Sequence, residues 1–265
     1  MIPKVIHYCW FGKKPMPEEY KQYIESWGRY CPDYEIKRWD ESNFNLNSSV
    51  FVKEAYEEKK WAFVSDYARL KIIYDEGGIY LDTDVELINS LDFLLNNKCF
   101  LAAETSGYIN TGLGFGAEKG NKIIEILLKE YGGHFKLDEY AYDSTPCPKK
   151  NTTPLLQMNY RFSGKEIWRN GEVVVYPPEY FCPFDYETGV KKITKRTVSV
   201  HHYSASWHSK EQELMFQINK YCIVAFGKPV GRIISNIINF PIKAYSKINR
   251  LGIKGTFIYI GRKFK

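Results

Sequence analysis

Hydrophobic residues in the first 131 positions of this chain alternate between the spacing of strands and the spacing of helices. Short apolar runs predict strands over residues 4–10, 34–39, 79–81, 99–103 and 113–115. Amphipathic spacing predicts helices over residues 18–30, 50–59, 62–76 and 121–131, with Gly77-Gly78 ending the third of them. Strands that alternate with helices are typical of an α/β fold, so we predict a parallel sheet flanked by helices.

The pattern is less regular beyond residue 131. Residues 132–153 are polar and contain prolines, which predicts a loop, whereas residues 155–162 have helical spacing. Two further apolar runs, 173–176 and 198–202, predict strands. No internal repeat interrupts this organisation.

Residues 209–265 differ from the rest of the chain in charge. They contain eleven Lys or Arg and two Glu, a net charge of +9, whereas the whole chain carries +6 and the remainder therefore −3. Between Val230 and Ile248 apolar residues recur at helical spacing with basic residues mostly on the other side, and Pro241 should kink or divide this helix. Two interpretations stay open: a helix that caps the rest of the protein, or one that lies on an anionic membrane surface. This charge distribution indicates surface binding rather than nucleic-acid binding.

Composition sets broad limits on the class of protein. With 265 residues and 44% hydrophobic content the chain can bury one substantial core. It has no run of about 18 uncharged apolar residues, and its first residues lack the pattern of a signal peptide, so we expect a cytoplasmic location. The six cysteines are scattered without a Cys-x-x-Cys pair, which predicts reduced, buried thiols rather than a zinc site or a disulfide scaffold.

Two carboxylates separated by one residue follow the predicted strand 79–81. Open α/β sheets bind ligands at the carboxyl ends of their strands, so Asp82 and Asp84 should lie at the rim of a cleft. Because two carboxylates in a tight turn repel each other, a bound Mn²⁺ or Mg²⁺ relieves that cost and leaves coordination positions for the phosphates of a substrate. The alternative for so short a motif is a solvated turn.

Asp66 and Arg69 are three residues apart and share one face of the predicted helix 62–76. A surface salt bridge explains an isolated pair of this kind. This helix leads directly into the strand before Asp82, however, so its polar face can contribute to the same cleft.

Three stretches stand out together: Ile2-Pro3-Lys4-Val5-Ile6-His7 with Trp10, Ser65-Asp66-Tyr67-Ala68-Arg69, and Gly77-Gly78-Ile79-Tyr80-Leu81-Asp82-Thr83-Asp84. At these spacings they resemble glycosyltransferase family 32 and the related glucosylating bacterial toxins. The resemblance is strong over residues 2–104 and weaker to about residue 209. It implies an α/β fold of GT-A type, with a Rossmann-like nucleotide-binding sheet flanked by helices, in a catalytic domain over residues 1–208. The basic amphipathic helical tail, residues 209–265, follows as an appendage.

The resemblance also implies roles for the four acidic and basic residues. Asp82 and Asp84 match the motif that holds the metal and the diphosphate, with Asp84 as the direct ligand and Asp82 contacting ribose, sugar or the metal through water. Asp66 and Arg69 match positions that hold the hydroxyls of the donor sugar. These four residues are the expected catalytic set, with Mn²⁺ or Mg²⁺ as cofactor.

Three further residues are expected to contact the donor. Tyr80 matches an aromatic position beside the nucleotide, and Trp10 lies where the family places contacts to the base, although core packing also explains an aromatic residue at either position. Asn110 lies in a Gly-rich stretch, where it can bond a hydroxyl of the donor or acceptor or stabilise an ordinary turn.

The segment 200–208 resembles the closing segment of the family, in which a late His, Ser or Trp reaches back to the metal and diphosphate. This resemblance implies a donor contact by Trp207. His201 and His202 should point to opposite faces of a strand, so at most one faces the cleft, and we predict His202 as a metal ligand. His7 is interpreted as a core histidine.

Together these expectations predict a metal-dependent glycosyltransferase. It would move a sugar from a UDP- or GDP-linked donor to a hydroxyl of a glycan or lipid-linked acceptor, with retention of anomeric configuration, in the assembly of surface polysaccharide. Two alternatives stay open: a metal-dependent phosphohydrolase or nucleotidyltransferase, and a noncatalytic carbohydrate-binding protein. The first commonly needs a further carboxylate cluster, and the second would not need Asp66 and Arg69 beside the two aspartates.

Overall fold

The computed structural model of the chain describes residues 1–138, 141–184, 191–203 and 210–263. The chain divides into two compact units. The first comprises Met1–Phe135, Ser144–Phe184 and Lys191–Tyr203, and the second contains the described parts of 136–143 and 204–265. The predicted domain boundary between residues 208 and 209 lies outside the described residues, so the two domains stay a prediction.

Helices and strands alternate through the first unit, and the elements of both units are numbered together along the chain. The strands are β1 Val5–Cys9, β2 Glu35–Trp39, β3 Gly78–Tyr80, β4 Val85–Leu87, β5 Cys99–Ala102, β6 Phe115–Ala117, β7 Lys136–Asp138, β8 Ala141–Tyr142, β9 Trp168–Asn170, β10 Val173–Tyr176 and β11 Ser199–His201. The helices are α1 Glu18–Tyr30, α2 Val50–Glu57, α3 Trp61–Glu76, α4 Lys122–Lys129, α5 Cys147–Gln157, α6 Pro178–Phe181, α7 Lys210–Phe226 and α8 Lys228–Lys263. The second unit holds β7, β8, α7 and α8.

Seven strands of the first unit form one mixed sheet in the order β2-β1-β3-β6-β5-β10-β9. The predicted α/β class, a sheet flanked by helices, is confirmed. The prediction of a parallel sheet is wrong in part, because β6 runs antiparallel to both β3 and β5. β5 and β6 are joined by a loop without a helix, and such a connection suits antiparallel pairing, whereas parallel neighbours need a longer crossover.

The carboxyl ends of β1, β3, β5 and β10 lie at one edge of this sheet, since β3 and β5 flank the antiparallel β6 and β10 runs parallel to β5. Helix α3 ends where predicted, at Glu76, and Gly77 and Gly78 both adopt positive φ angles. A Cβ atom at Gly78 would lie 2.8 Å from His7 Nε2, so only glycine lets β3 start this close to β1. This turn delivers the residues after β3 to the same edge of the sheet.

Two stretches differ from the sequence prediction. The predicted loop 132–153 contains β7, β8 and the start of α5, while the predicted helix 155–162 is wrong beyond Gln157, where α5 ends. Proline explains the first error: Pro148 lies in the first turn of α5, where a missing N–H costs nothing, so it starts a helix rather than breaking one. Strand β4 was not predicted. The cysteines are free and buried, as expected.

The two C-terminal helices are joined at Gly227, which has a φ of 77°. Pro241 was predicted to kink or divide this segment. It does not divide α8, because the non-helical dihedral angles among the described residues of this helix fall at Gly252. None of the described helices is both long and apolar enough to cross a bilayer.

Candidate functional site

Asp82 and Asp84 lie in a tight turn between β3 and β4. The N–H of Leu81 donates to the His7 carbonyl, which extends the pairing of β3 with β1, and the N–H of Val85 donates to the Asp82 carbonyl over 3.0 Å. Strand β4 then pairs antiparallel with β11, which sets His201 opposite Val85. The turn is thereby held between the edge of the large sheet and β11.

This pairing places His201, not His202, beside the aspartates. Nε2 of His201 lies 3.3 Å from Oδ1 of Asp84 and 3.9 Å from Oδ2 of Asp82. One ligand atom from each of the three residues lies within 4.8 Å of the others, the group in the described part of the chain that could hold a metal ion.

His202 points to the other face of the strand, as alternation requires. Its Nε2 lies 2.9 Å from Oε2 of Glu86, and its ring stacks on Tyr23 with centroids 4.3 Å apart. The prediction of His202 as the ligand is therefore replaced by His201; alternation restricted the choice to one histidine but could not say which.

Two carboxylates and an imidazole are a donor set that suits Mn²⁺, and the carboxylate pair also suits Mg²⁺. Burial alone would lower the pKa of His201, but the carboxylates of Asp84 and Asp82 outweigh it and raise the pKa to about 10. An imidazolium can thus offset part of the negative charge of the two carboxylates when no cation does so. Nδ1 of His201 is buried and has no hydrogen-bond partner among the described residues. The polar contacts that orient this side chain are therefore those of Nε2 with the two aspartates.

Arg69 joins the helix residues to the turn. Its Nη2 lies 2.9 Å from Oδ1 of Asp66 and 3.5 Å from Oδ1 of Asp82, and its Nε donates to the Ser65 carbonyl. Arg69 is 5% exposed, so this is a buried ion pair rather than the surface salt bridge of the alternative interpretation. Removing one partner of such a pair typically costs about 3–5 kcal/mol.

Tyr80 is a core residue with a polar function. It is 1% exposed, its ring lies under the Arg69 guanidinium at 5.2 Å, and its hydroxyl donates to Oδ1 of Asp82 over 3.0 Å. Burial raises the pKa of Tyr80, so the hydroxyl stays protonated and can donate. Arg69 and Tyr80 thus hold Oδ1 of Asp82, while Oδ2 faces His201. The predicted contact of Tyr80 with a nucleotide stays a prediction.

A buried polar cluster behind Asp66 was not predicted. Nδ2 of Asn151 donates to Oγ1 of Thr111 and to Sγ of Cys147, each over 3.0 Å. Burial raises the pKa of Asp66 to about 6, against the opposing effects of Arg69 and of a hydrogen bond from Cys147. Cys147 and Asn151 are four residues apart on α5, a signal that was lost because this segment was predicted as a loop.

Asn110 stabilises the turn that faces Asp82. Its Oδ1 accepts from the N–H of Gly112 over 2.7 Å and its Nδ2 donates to Glu104 over 2.6 Å. A Cβ atom at Gly112 would lie 2.3 Å from Oδ2 of Asp82, so the close approach requires glycine. The geometry is that of the turn asparagine in the alternative interpretation, and the contact of Asn110 with a hydroxyl stays a prediction.

The two predicted tryptophan contacts have different outcomes. Trp10 follows β1; its Nε1 donates to the Lys14 carbonyl and its ring packs edge-on against Tyr20, so packing accounts for it and base contact stays a prediction. Trp207 lies outside the described residues.

Comparison with known families bears on the interpretation of this turn. Residues 17–101 match the family model described as "Glycosyltransferase sugar-binding region containing DXD motif". The resemblance to glycosyltransferase family 32 is confirmed. The DXD motif of this family corresponds here to Asp82-Thr83-Asp84, and the matched region also contains Asp66 and Arg69.

Curated relatives of the chain include proteins of two yeasts. The chain is 34% identical over 155 residues to inositol phosphoceramide mannosyltransferase 3 of Schizosaccharomyces pombe, a match that covers 55% of this chain and 43% of the relative. It is 25% identical over 241 residues to mannosyl phosphorylinositol ceramide synthase SUR1 of Saccharomyces cerevisiae, covering 84% of this chain and 57% of the relative. The chain therefore spans about half the length of the curated relatives it matches.

The chain also has a distant likeness to two solved glycosyltransferase structures. The PaToxG glycosyltransferase is 19% identical with a TM-score of 0.46, and the match covers 59% of this chain and 70% of that one. The galactosyltransferase LgtC, in complex with donor and acceptor sugar analogs, is 16% identical with a TM-score of 0.43, covering 78% of this chain and 90% of that one. These likenesses concern the fold alone.

Proposed function

We propose that this protein is a metal-dependent glycosyltransferase that moves a sugar from a nucleotide-diphosphate donor to a hydroxyl of a glycan or a lipid-linked acceptor. The observation that carries the proposal is the arrangement of Asp82, Asp84 and His201 beside the Arg69–Asp66 pair, at the carboxyl end of β3. The DXD family match supports the same assignment.

Each side chain has a part in this proposal. A divalent cation bound by the Asp82, Asp84 and His201 group would stabilise the negative charge that develops on the leaving diphosphate. Arg69 and Tyr80 fix Oδ1 of Asp82, which leaves Oδ2 for the ligand site.

In this proposal Asp66 belongs to the sugar-binding end of the site, where its carboxylate can accept hydrogen bonds from sugar hydroxyls and orient the anomeric carbon. The remaining contribution of the protein is positional rather than covalent.

We also propose that the reaction retains the anomeric configuration, as the family resemblance implies. In that route the acceptor attacks from the face that the diphosphate leaves, and a phosphate oxygen accepts the acceptor proton. Proton NMR of the product tests this directly, because an α-linked donor should give an α-linked product and an inverting enzyme a β-linked one.

The donor and acceptor are proposed by class. Two matched relatives carry names of mannosyl-transferring enzymes that act on inositol phosphoceramide, which puts a mannose donor into the test panel and supports a lipid-linked acceptor. A role in surface polysaccharide assembly fits a glycan acceptor equally. A cytoplasmic location at the inner face of a membrane is proposed from the basic tail.

The test is release of nucleoside diphosphate from UDP-glucose, UDP-galactose, UDP-N-acetylglucosamine and GDP-mannose, with Mn²⁺ or Mg²⁺ and with excess chelator. One donor should be hydrolysed slowly in the metal-containing samples alone, and the product should be the nucleoside diphosphate and free sugar. Nucleoside monophosphate and sugar phosphate would instead indicate a phosphohydrolase. Binding without turnover of any donor would favour a carbohydrate-binding protein.

A further inference from the structure

Helices α7 and α8 pack against each other through small and polar residues. On α8 the buried positions are Gly231, Ser235 and Asn239, which recur every fourth residue and so form one stripe of the helix. A Cβ atom at Gly231 would lie 2.4 Å from the Cys222 carbonyl oxygen, so the two backbones approach as closely as glycine allows.

Hydrogen bonds connect the same two faces. Oγ of Ser235 donates to Oδ1 of Asn219 over 2.7 Å, and Nδ2 of Asn239 donates to the Met215 carbonyl over 3.2 Å. In the membrane interior no water drives apolar side chains together, and helices there associate through small residues and interhelical hydrogen bonds. In water, by contrast, a helical hairpin normally buries its large apolar residues between the helices.

Many large apolar residues of this hairpin are instead exposed, although Ile223 of α7 is buried. On α8 Ile233 is 63% exposed, and Ile237 and Phe240 are each 69% exposed. Others that are at least half exposed on the two helices are Leu214, Tyr221, Val224, Phe226, Val230 and Tyr245. Single exposed apolar residues are ordinary on a protein surface, but a row of them along one helix face marks a surface that binds something apolar.

A third face of α8 is basic. At about 100° per residue, Arg232, Asn236, Lys243 and Lys247 fall between the buried stripe and the apolar row. Lys243 is exposed and its Nζ lies 3.1 Å from Oδ1 of Asn236. The helix therefore presents an exposed apolar row with cationic groups along its side.

We infer that the α7–α8 hairpin lies in the surface of an anionic phospholipid membrane, with the row Ile233, Ile237 and Phe240 inserted among the acyl chains. Basic groups beside an inserted row match the negative charge of anionic headgroups. A protein partner would satisfy the apolar row, but it would leave the basic face and the polar helix contact without a function. The inference deepens the proposed membrane location and does not depend on sugar transfer.

The test uses the full chain in flotation with vesicles of phosphatidylcholine containing about 30 mol% phosphatidylglycerol. The substitutions are Ile233→Asp with Ile237→Asp, and the matched control is Leu156→Asp, at a 59% exposed position on α5 of the first unit. Wild type and the control should float with the vesicles, and the double variant should bind about tenfold or more weakly. Lys243→Gln should weaken binding less and mainly at low salt.

Circular dichroism must show the same helix content in all variants. The inference is overturned if the double variant floats like wild type, or if about 1 M NaCl releases wild type completely, since salt removes surface-adsorbed but not inserted protein. It is also overturned if the wild-type protein does not bind the vesicles and forms a dimer in solution, and Ile237→Asp dissociates that dimer. Nucleotide-sugar hydrolysis in vesicle-free buffer should be equal in all variants, which separates a failure here from a failure of the proposed transferase activity.

Discussion

Nε2 of His201 lies 3.3 Å from Oδ1 of Asp84, although 117 positions separate the two residues in the chain. The contact depends on a single antiparallel pairing, in which His201 of β11 lies opposite Val85 of β4. A shift of one residue in this register would turn His201 away and bring His202 to the aspartates. Strand pairing, rather than the local sequence, thus sets which histidine lies beside the aspartates.

We predict that His201→Gln and His202→Gln have different effects on cation binding. Loss of an outer-shell partner commonly weakens a metal site about 10–100-fold, so loss of the proposed direct ligand His201 should weaken Mn²⁺ binding by at least that factor. His202→Gln should leave the affinity close to wild type, because its ring contacts Tyr23 and Glu86. Isothermal titration with Mn²⁺ measures both, and the reverse order of affinities would restore His202 as the ligand.

Asp84→Asn should remove metal-dependent turnover while leaving the fold intact. An amide in place of the carboxylate takes one negative charge from the cation site and leaves the turn its size, so donor hydrolysis should fall on the order of 10²-fold or more. Asp75→Asn is the control, since that carboxylate lies on α3 and is paired with Lys71 at the surface. Turnover by Asp84→Asn at the wild-type rate would contradict the assignment of the cation site.

Local patterns predicted the parts of the site that lie close together in the chain. Helix α1 has the predicted bounds, 18–30, because amphipathic spacing and flanking prolines define it without help from the rest of the protein. Asp66 and Arg69 share a helix face, and Gly77-Gly78 ends that helix as predicted.

The pairing of strands that lie far apart in the chain could not be predicted from the sequence. The antiparallel β6 and the pairing of β4 with β11 join segments far apart in the chain, and no periodicity encodes which strands become neighbours. The cluster of Thr111, Cys147 and Asn151 behind Asp66 was missed for a second reason. Helix α5, which contains Cys147 and Asn151, begins with proline residues, and composition alone predicts a loop where prolines occur.

Gly112→Ala should impair the site more than the fold. The added Cβ atom would lie 2.3 Å from Oδ2 of Asp82, the carboxylate oxygen that faces His201, so Asp82 must move. Overpacking of this kind typically costs about 1–3 kcal/mol, and we expect a modest loss in thermal stability with a drop of about tenfold or more in Mn²⁺ affinity.

Gly133→Ala is the matched control, because nothing lies within 4 Å of its added Cβ. Thermal unfolding and Mn²⁺ titration of both variants distinguish the effects. Equal Mn²⁺ affinity in the two variants would show that Asp82 is not positioned by the Gly112 turn.

His7 gives the fold a dependence on pH. Its Nδ1 lies 3.0 Å from the indole Nε1 of Trp39, which can only donate, and its Nε2 lies 2.9 Å from the Gly77 carbonyl oxygen, which can only accept. The neutral tautomer with its proton on Nε2 satisfies both contacts. Protonation of Nδ1 would set two N–H groups against each other, and burial lowers the pKa of His7 to about 4.

We therefore predict that the titration of His7 lowers the free energy of unfolding as the pH falls. Between a pKa of about 6.5 in the unfolded chain and about 4 in the folded one, the unfolded state binds the additional proton, so the free energy of unfolding falls as the pH falls. The loss is about 1.4 kcal/mol per pH unit in this window, or about 2 kcal/mol between pH 7 and pH 5. His7→Gln cannot take up the proton and should lose that much less over the same interval, even if it is less stable at pH 7. Urea unfolding of both proteins at the two pH values measures this, and equal losses would show that His7 does not titrate between them.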